Sequence, residues 1–118
     1  MSDSIFSRDP GFLILCALAH EDLHGYGIMK EVDRLSEGRV RLSLGTLYGV
    51  LDRLAAKGAI EVAREERRGG RLRRYYRLTG PGADDLRRET DLQGRMVEAT
   101  RKSLEARNPA AVQPLEAL

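Results

Sequence analysis

Seven arginines and no lysine fall between Arg64 and Arg77, around a Gly69-Gly70 pair and with only Glu65 and Glu66 as acidic company. A guanidinium presents a fixed fork of donors that matches phosphate oxygens. Clustered on one turn, such groups suit a polyanion, although a run of charge can also be plain solvated surface. The candidates for phosphate contacts are Arg67, Arg68, Arg71 and Arg73, which flank the glycine pair. Other reactive side chains are sparse. His20 and His24 stand four apart, but they straddle a polar turn and no cysteine or carboxylate cluster completes a metal site. No metal and no cofactor is expected, and His24 reads as a cap or turn residue. Cys16 stands alone in an apolar run, which reads as a buried, inert thiol and excludes an internal disulfide. The sequence holds no Ser/His/Asp or Cys/His set, no paired acids in an apolar setting and no phosphate loop. Nothing equips it as an enzyme.

The second candidate surface is the stretch Ser43-Leu44-Gly45-Thr46-Leu47-Tyr48-Gly49-Val50-Leu51-Asp52-Arg53-Leu54. Ser43 can cap a helix by accepting from a free N–H of its first turn. Leu44, Leu47, Leu51 and Leu54 follow at helical spacing as an inward stripe. At about 100° per residue, Gly45, Thr46, Gly49, Arg53 and Ala56 fall on the opposite side. An ordinary solvated face carries Glu, Lys and Gln. A face reduced to Gly, Thr and Ala with one Arg suits close approach to a surface such as a DNA groove, the plain alternative being a short surface helix of poor propensity.

These two stretches need elements to hold them. Gly58 is placed to end the helix in the left-handed conformation. Ile60 to Ala63 reads as a strand, Arg64 to Arg71 as a charged turn, and Leu72 to Leu78 as the returning strand. Helix, strand, basic hairpin and strand in this order predict a winged helix-turn-helix, with the helix in the major groove and the wing on the flanking backbone. Upstream, Asp9-Pro10 opens a first helix to Ala19, apolar on every side and hence read as the central core helix. A polar turn over 21–25 leads to a second helix, Tyr26 to Ser36, with Ile28, Met29, Val32 and Leu35 inward and Gly38 closing it. Arg39 to Leu42 alternates and could add a short strand to the wing sheet. Downstream, Thr79 caps a last helix from about Pro81 to Ala106. It is long and polar, with a thin seam of Leu86, Leu92, Met96, Val97, Thr100 and Leu104, so a partner subunit is expected to cover it. Asn108-Pro109 stops it, and a loose tail follows.

Bulk numbers agree. A chain of 118 residues with 42% hydrophobic and 32% charged residues is a single soluble globular domain by size. Net charge is only +2, but its distribution is uneven. Residues 43–78 carry 9 basic and 4 acidic side chains, whereas the flanking segments 1–42 and 79–118 are slightly acidic. The local excess is what attracts a polyanion. The start, Met1-Ser2-Asp3-Ser4, lacks the basic region of a signal peptide. The longest apolar run, Phe12 to Ala19, is too short to span a membrane.

Together the pieces resemble the PadR family of bacterial transcriptional regulators. The matching residues are His24-Gly25-Tyr26-Gly27-Ile28, Leu42-Ser43-x-Gly45-Thr46-Leu47-Tyr48, Leu51-x-x-Leu54-x-x-x-Gly58-x-Ile60, Gly69-Gly70-Arg71, Arg73-Arg74-Tyr75-Tyr76-Arg77-Leu78-Thr79 and Gly82. They cover roughly residues 11–86, and the length is similar to that of the compact subclass. The resemblance implies homodimeric winged-helix proteins, mostly repressors, whose last helix builds the dimer. It implies that Ser43, Thr46 and Tyr48 lie at the DNA-facing start of the recognition helix, Tyr26 near the phosphates and the basic hairpin as the wing. The family commonly has proline where this chain has Leu44 and Gly49. Some compact members bind planar drugs between aromatics at the dimer interface, whereas this chain has no Trp and its last helix no aromatic.

The fold class expected is therefore mainly α with a small β-hairpin. It comprises a winged helix-turn-helix over 1–80, a dimerisation helix over 81–107 and a flexible tail over 108–118. The function expected is a cytoplasmic, dimeric, sequence-specific repressor that binds double-stranded DNA at an inverted repeat and is released by a small-molecule effector. Tyr26, Ser43, Thr46, Tyr48, Gly49, Arg53, Arg67, Arg68, Arg71 and Arg73 are the DNA-facing set, with Arg53 and Thr46 as base readers. The alternative is a winged-helix protein-interaction module whose hairpin binds an acidic partner.

Overall fold

A computed structural model describes residues 9–107; the expected tail and the stretch before Asp9 lie outside these residues. The elements are α1 (Pro10–His20), β1 (Leu23–His24), α2 (Gly25–Leu35), α3 (Leu44–Ala56), β2 (Ile60–Arg68), β3 (Arg71–Leu78) and α4 (Gly80–Arg107). The strands form one antiparallel sheet in the order β1-β3-β2. The chain divides into two compact units between Leu86 and Arg87. The first holds the winged helix-turn-helix, with both candidate surfaces. In the second, α4 continues without a break through Gly94.

Local chemistry sets the helix ends. Asp9 accepts from the Phe12 N–H at 3.2 Å, with Pro10 in the first turn. Ser43 accepts from the Thr46 N–H at 3.1 Å. Thr79 does the same for α4, its Oγ1 accepting from the Gly82 N–H at 3.0 Å while donating to the Gly58 carbonyl. Each hydroxyl or carboxylate satisfies a donor that the helix itself leaves free. Gly58, with φ +79°, ends α3 in the left-handed region. A β-carbon on Gly82 would collide with the Ala59 carbonyl oxygen. Glycine there lets the start of α4 press on the turn between α3 and β2.

The core joins Leu13, Ile14, Ala17 and Leu18 of α1, Ile28 and Val32 of α2, and Leu47, Val50, Leu51 and Leu54 of α3 with Leu42, Ile60 and Tyr76. It departs from the sequence reading in several places. The helix α1 is not buried all round: Phe12, Leu15 and Cys16 are half-buried and Ala19 is exposed, because α2, α3 and β3 cover only part of its surface. Leu35 and Leu44 are exposed rather than inward, at 39% and 63%. Both have the right angle on their helices, but each occupies a terminal turn that no neighbouring side chain covers.

The sheet also differs. Its third strand is Leu23–His24, within what reads as a polar turn, and not residues 39–42; Leu23 pairs with Tyr76 and His24 with Tyr75. Residues 39–42 are instead irregular, tied to Ser36 by the Val40 N–H at 3.0 Å. The strands of the wing run on to Arg68 and restart at Arg71, so the turn is only Gly69-Gly70 and not Arg64 to Arg71. With φ of 56° and 81°, these glycines adopt the backbone that a two-residue hairpin of this twist requires. The ladder shifts by one residue between Val62 and Arg64.

Candidate nucleic-acid interface

The first turn of α3 is exposed all the way round, at Ser43, Leu44, Gly45 and Thr46. Ser43 Oγ accepts the Thr46 N–H and donates to Thr46 Oγ1 at 3.0 Å, which locks the cap. Nothing lies within 4 Å of a β-carbon built on Gly45 or Gly49, so the outer face of the helix is bare backbone in open space. Arg53 is exposed two turns further on, about 10 Å along the axis from Thr46. Its guanidinium nitrogen lies 3.9 Å from a β-carbon built on Gly11, so it stands beside the start of α1. Glu61, a conceivable partner, is held by Arg77 at 2.8 Å instead.

The wing arginines fall into two groups. Arg64 bonds Glu66 at 2.7 Å, Arg74 bonds Glu65 at 3.0 Å, and Arg68 lies 3.9 Å from Glu66. The bond from Arg64 holds the Glu66 carboxyl below its ordinary value. Arg67, Arg71 and Arg73 have no acidic partner among the described residues. Arg64 also lies over the Tyr75 ring, 3.9 Å from its centroid, and the His24 ring stands 5.2 Å from that same ring. Tyr75 is thereby buried on the face of the sheet turned away from the core.

Between the wing, the start of α2 and the side of α3 lies an open cleft of about 560 Å³. His24, Gly25 and Tyr26 line one wall, Arg71, Leu72, Arg73 and Arg74 form the wing side, and Tyr48 and Tyr76 complete the lining. Tyr48 fits because Gly25 has no side chain: a β-carbon there would meet Tyr48 Oη at 2.7 Å. Lys30 stands 5.5 Å from the centre of the exposed Tyr26 ring. Burial, and after it the charges of Arg73 and Arg68, hold the His24 imidazole below its ordinary value, against an opposing pull from Glu66. The cleft is thus lined by the guanidinium groups of Arg71, Arg73 and Arg74, a setting that suits a phosphate diester or another anion.

Of the sequence-predicted residues, Tyr26, Tyr48, Arg71 and Arg73 come together in the cleft. Ser43, Thr46 and Gly49 lie on the exposed start of α3, while Arg67 and Arg68 flank the wing tip. Arg53 stands apart from both groups. His24, Leu72 and Arg74 were not anticipated; His24 belongs to a two-residue strand, too short for any periodicity to reveal. On α4, Leu86 is 7% exposed within its own unit, whereas Leu92, Met96, Val97 and Leu104 are 44–63% exposed. No helix among the described residues is long and apolar enough to cross a membrane.

Comparison with known proteins agrees with this architecture. The Transcriptional regulator PadR-like family matches residues 14–88. A protein described as transcriptional regulator YqjI from Escherichia coli is 34% identical over 86 residues, covering 73% of this chain and 39% of that protein. The chain spans less than two-thirds of the length of the curated relatives it matches. The crystal structure of a PadR family transcription regulator from Clostridium difficile superposes with a TM-score of 0.67 at 27% identity, covering 80% of this chain and 97% of the other. A Bacillus subtilis PadR solved in complex with operator DNA shares the fold at a TM-score of 0.61 and 23% identity, over 68% of this chain and 44% of the other.

Proposed function

The chain belongs to the PadR-like family of transcriptional regulators, and we propose that it acts as a homodimeric, sequence-specific repressor on double-stranded DNA in the cytoplasm. The observation that carries the reading is the juxtaposition of a bare, capped helix start with a cationic cleft and a wing whose Arg67, Arg71 and Arg73 lack acidic partners among the described residues. In this reading the first turn of α3 enters the major groove, where Thr46 contacts base edges. The wing and the cleft, through Tyr26, Tyr48, Arg67, Arg68, Arg71 and Arg73, hold phosphates on the flanking backbone, which positions the helix without specifying sequence. Arg53 is assigned a base contact further along the groove.

The domain boundaries follow from the same roles: a DNA-binding unit over residues 1–80 and α4 as the dimerisation helix. Two copies related by a two-fold axis place equivalent helices in successive grooves, so the operator is an inverted repeat with half-sites about one helical turn apart or a small multiple of it. Release by a small-molecule effector completes the scheme.

The test is binding-site selection with the full chain on a random duplex pool, followed by titration of the selected duplex at several salt concentrations. Enrichment of an inverted repeat and a steep salt dependence are expected. A pool that shows no enriched sequence would overturn sequence-specific binding and favour a wing that meets an acidic protein partner.

A further inference from the structure

Leu44 is the one large side chain on the exposed first turn of α3, and the fold gives it nothing to do. It is 63% exposed and takes no part in the core, not even among the partly buried residues packed against it. Its neighbours on the turn are otherwise committed or small. Ser43 Oγ accepts the Thr46 N–H and gives its own hydrogen to Thr46 Oγ1. Gly45 has no side chain, and neither has Gly49 one turn on, with nothing within 4 Å of where either β-carbon would be. Thr46 Oγ1 already accepts from Ser43 and keeps its own hydrogen. The guanidinium of Arg53 is two turns away, beside Gly11. The turn that leads into the groove therefore offers the hydroxyl hydrogen and methyl of Thr46 and one wholly apolar side chain, Leu44.

In the major groove an apolar side chain has one specific partner, the C5-methyl group of thymine, which no other base carries. The first turn is exposed on every side, and Leu44, on the flank opposite Gly45, Thr46 and Gly49, is its largest exposed side chain. We infer that Leu44 is a specificity-determining residue that reads thymine methyl groups, giving each half-site a fixed thymine on the opposite flank of the helix end from the position contacted by Thr46. This rests on the proposed DNA-binding function and adds the chemistry by which the helix start chooses its base.

The measurement uses the full-length protein and the duplex obtained by selection, with each thymine replaced in turn by deoxyuridine, which deletes only the methyl. For the native protein, one or two thymines per half-site are expected to lose about fourfold in affinity on replacement, the worth of one buried methyl-sized group. Leu44→Ala is expected to bind thymine and deoxyuridine duplexes alike, and Leu44→Met to keep the preference. Leu44 is exposed, so neither variant removes a core contact. A duplex that is bound tightly but is indifferent to deoxyuridine at every position, or the same loss in Leu44→Ala as in the native protein, overturns the role of Leu44 while leaving DNA binding intact. Failure to select any duplex overturns both.

Discussion

A β-carbon on Gly25, the first residue of α2, would lie 2.7 Å from the phenolic oxygen of Tyr48, on the exposed side of α3. The start of one helix and the position of a candidate DNA-facing ring on the next are therefore a single packing unit. Gly25→Ala forces Tyr48 outward, at a cost of about 1 kcal/mol in stability, the low end for overpacking because the ring is half-exposed. The larger effect is expected on DNA, with affinity for a selected duplex falling about tenfold or more. Adding Tyr48→Phe removes the colliding oxygen, and the double variant should recover part of the loss. Equal affinities for Gly25→Ala and the native protein would show that the position of Tyr48 does not matter for binding.

Gly82→Ala tests the other close approach. Its new methyl would run into the backbone carbonyl of Ala59, and a backbone atom cannot turn aside as a side chain can. A loss of about 2 kcal/mol or more is expected, seen as a drop of roughly 10 °C in the unfolding midpoint. Gly94→Ala is the control: the site lies within α4 with nothing near its β-carbon, so up to about 1 kcal/mol of stabilisation follows from helix propensity alone. Calorimetry on the two variants that gives shifts of the same sign would contradict this assignment.

These close approaches also mark where the sequence is readable. Asp9, Ser43 and Thr79 announce their helices because capping is local chemistry between residues three apart. The length of the wing is not announced, since Arg64 to Arg68 alternates nothing apolar. The strand Leu23–His24 exists only because Tyr75 and Tyr76, some fifty residues on, supply its hydrogen-bonding partners. Leu35 and Leu44 mislead because helical angle says nothing about whether a neighbour reaches the terminal turn. The cleft draws on residues 24–26, 48, 71–74 and 76. Individually Tyr26, Tyr48, Arg71 and Arg73 look functional, but only the folded arrangement shows that they share a surface with His24.

The division among the wing arginines predicts unequal salt effects. Arg67→Ala, Arg71→Ala and Arg73→Ala should each flatten the slope of log K against log salt by about 0.9 for every phosphate the variant no longer neutralises, and by twice that where both wings of a dimer are altered. Arg77, bonded to Glu61 at 2.8 Å, should change the slope least on replacement. Affinity should fall alike on specific and random duplexes, in contrast to Arg53→Ala, which should relax selection at one position if it reads a base. Slopes that are unchanged in all three unpartnered variants would remove the wing from the interface.

His24 gives a pH dependence with two opposite signs. Its imidazole is held below its ordinary value of 6.5 by burial and then by Arg73 and Arg68, with Glu66 opposing and the Tyr75 ring packed alongside. The unfolded chain therefore takes up the proton first, so this contribution to folding stability is complete above pH 6.5 and declines as the pH falls below it. A phosphate in the cleft does the reverse, favouring the imidazolium, so DNA affinity should rise over the same fall in pH. His24→Gln should abolish both trends. Affinity that stays flat, or falls, on acidification in the native protein would mean that no phosphate reaches the cleft.

The dimer proposal turns on which apolar residues of α4 are still uncovered. Leu86 is buried within its own unit, and Leu86→Ala should cost about 2–4 kcal/mol in unfolding without changing association. Leu92, Met96, Val97, Thr100 and Leu104 are exposed and lie on one side of the helix at about 100° per residue. A long helix that carries such a stripe gains little from water and much from a second copy, since closing two such faces together buries both at once. Replacing Met96 and Val97 together by glutamate places two charges in the middle of that stripe. Sedimentation of the full chain at micromolar concentration should then show a dimer for the native protein and a monomer for the double variant. Unfolding of the first unit should be unaffected, because neither residue belongs to it. Affinity for a single half-site should survive, while affinity for the inverted repeat should collapse to the half-site value, as only a linked pair of helices gains from the second half-site. A double variant that still sediments as a dimer would show that α4 is not the seam, and the two-fold operator would then need another origin.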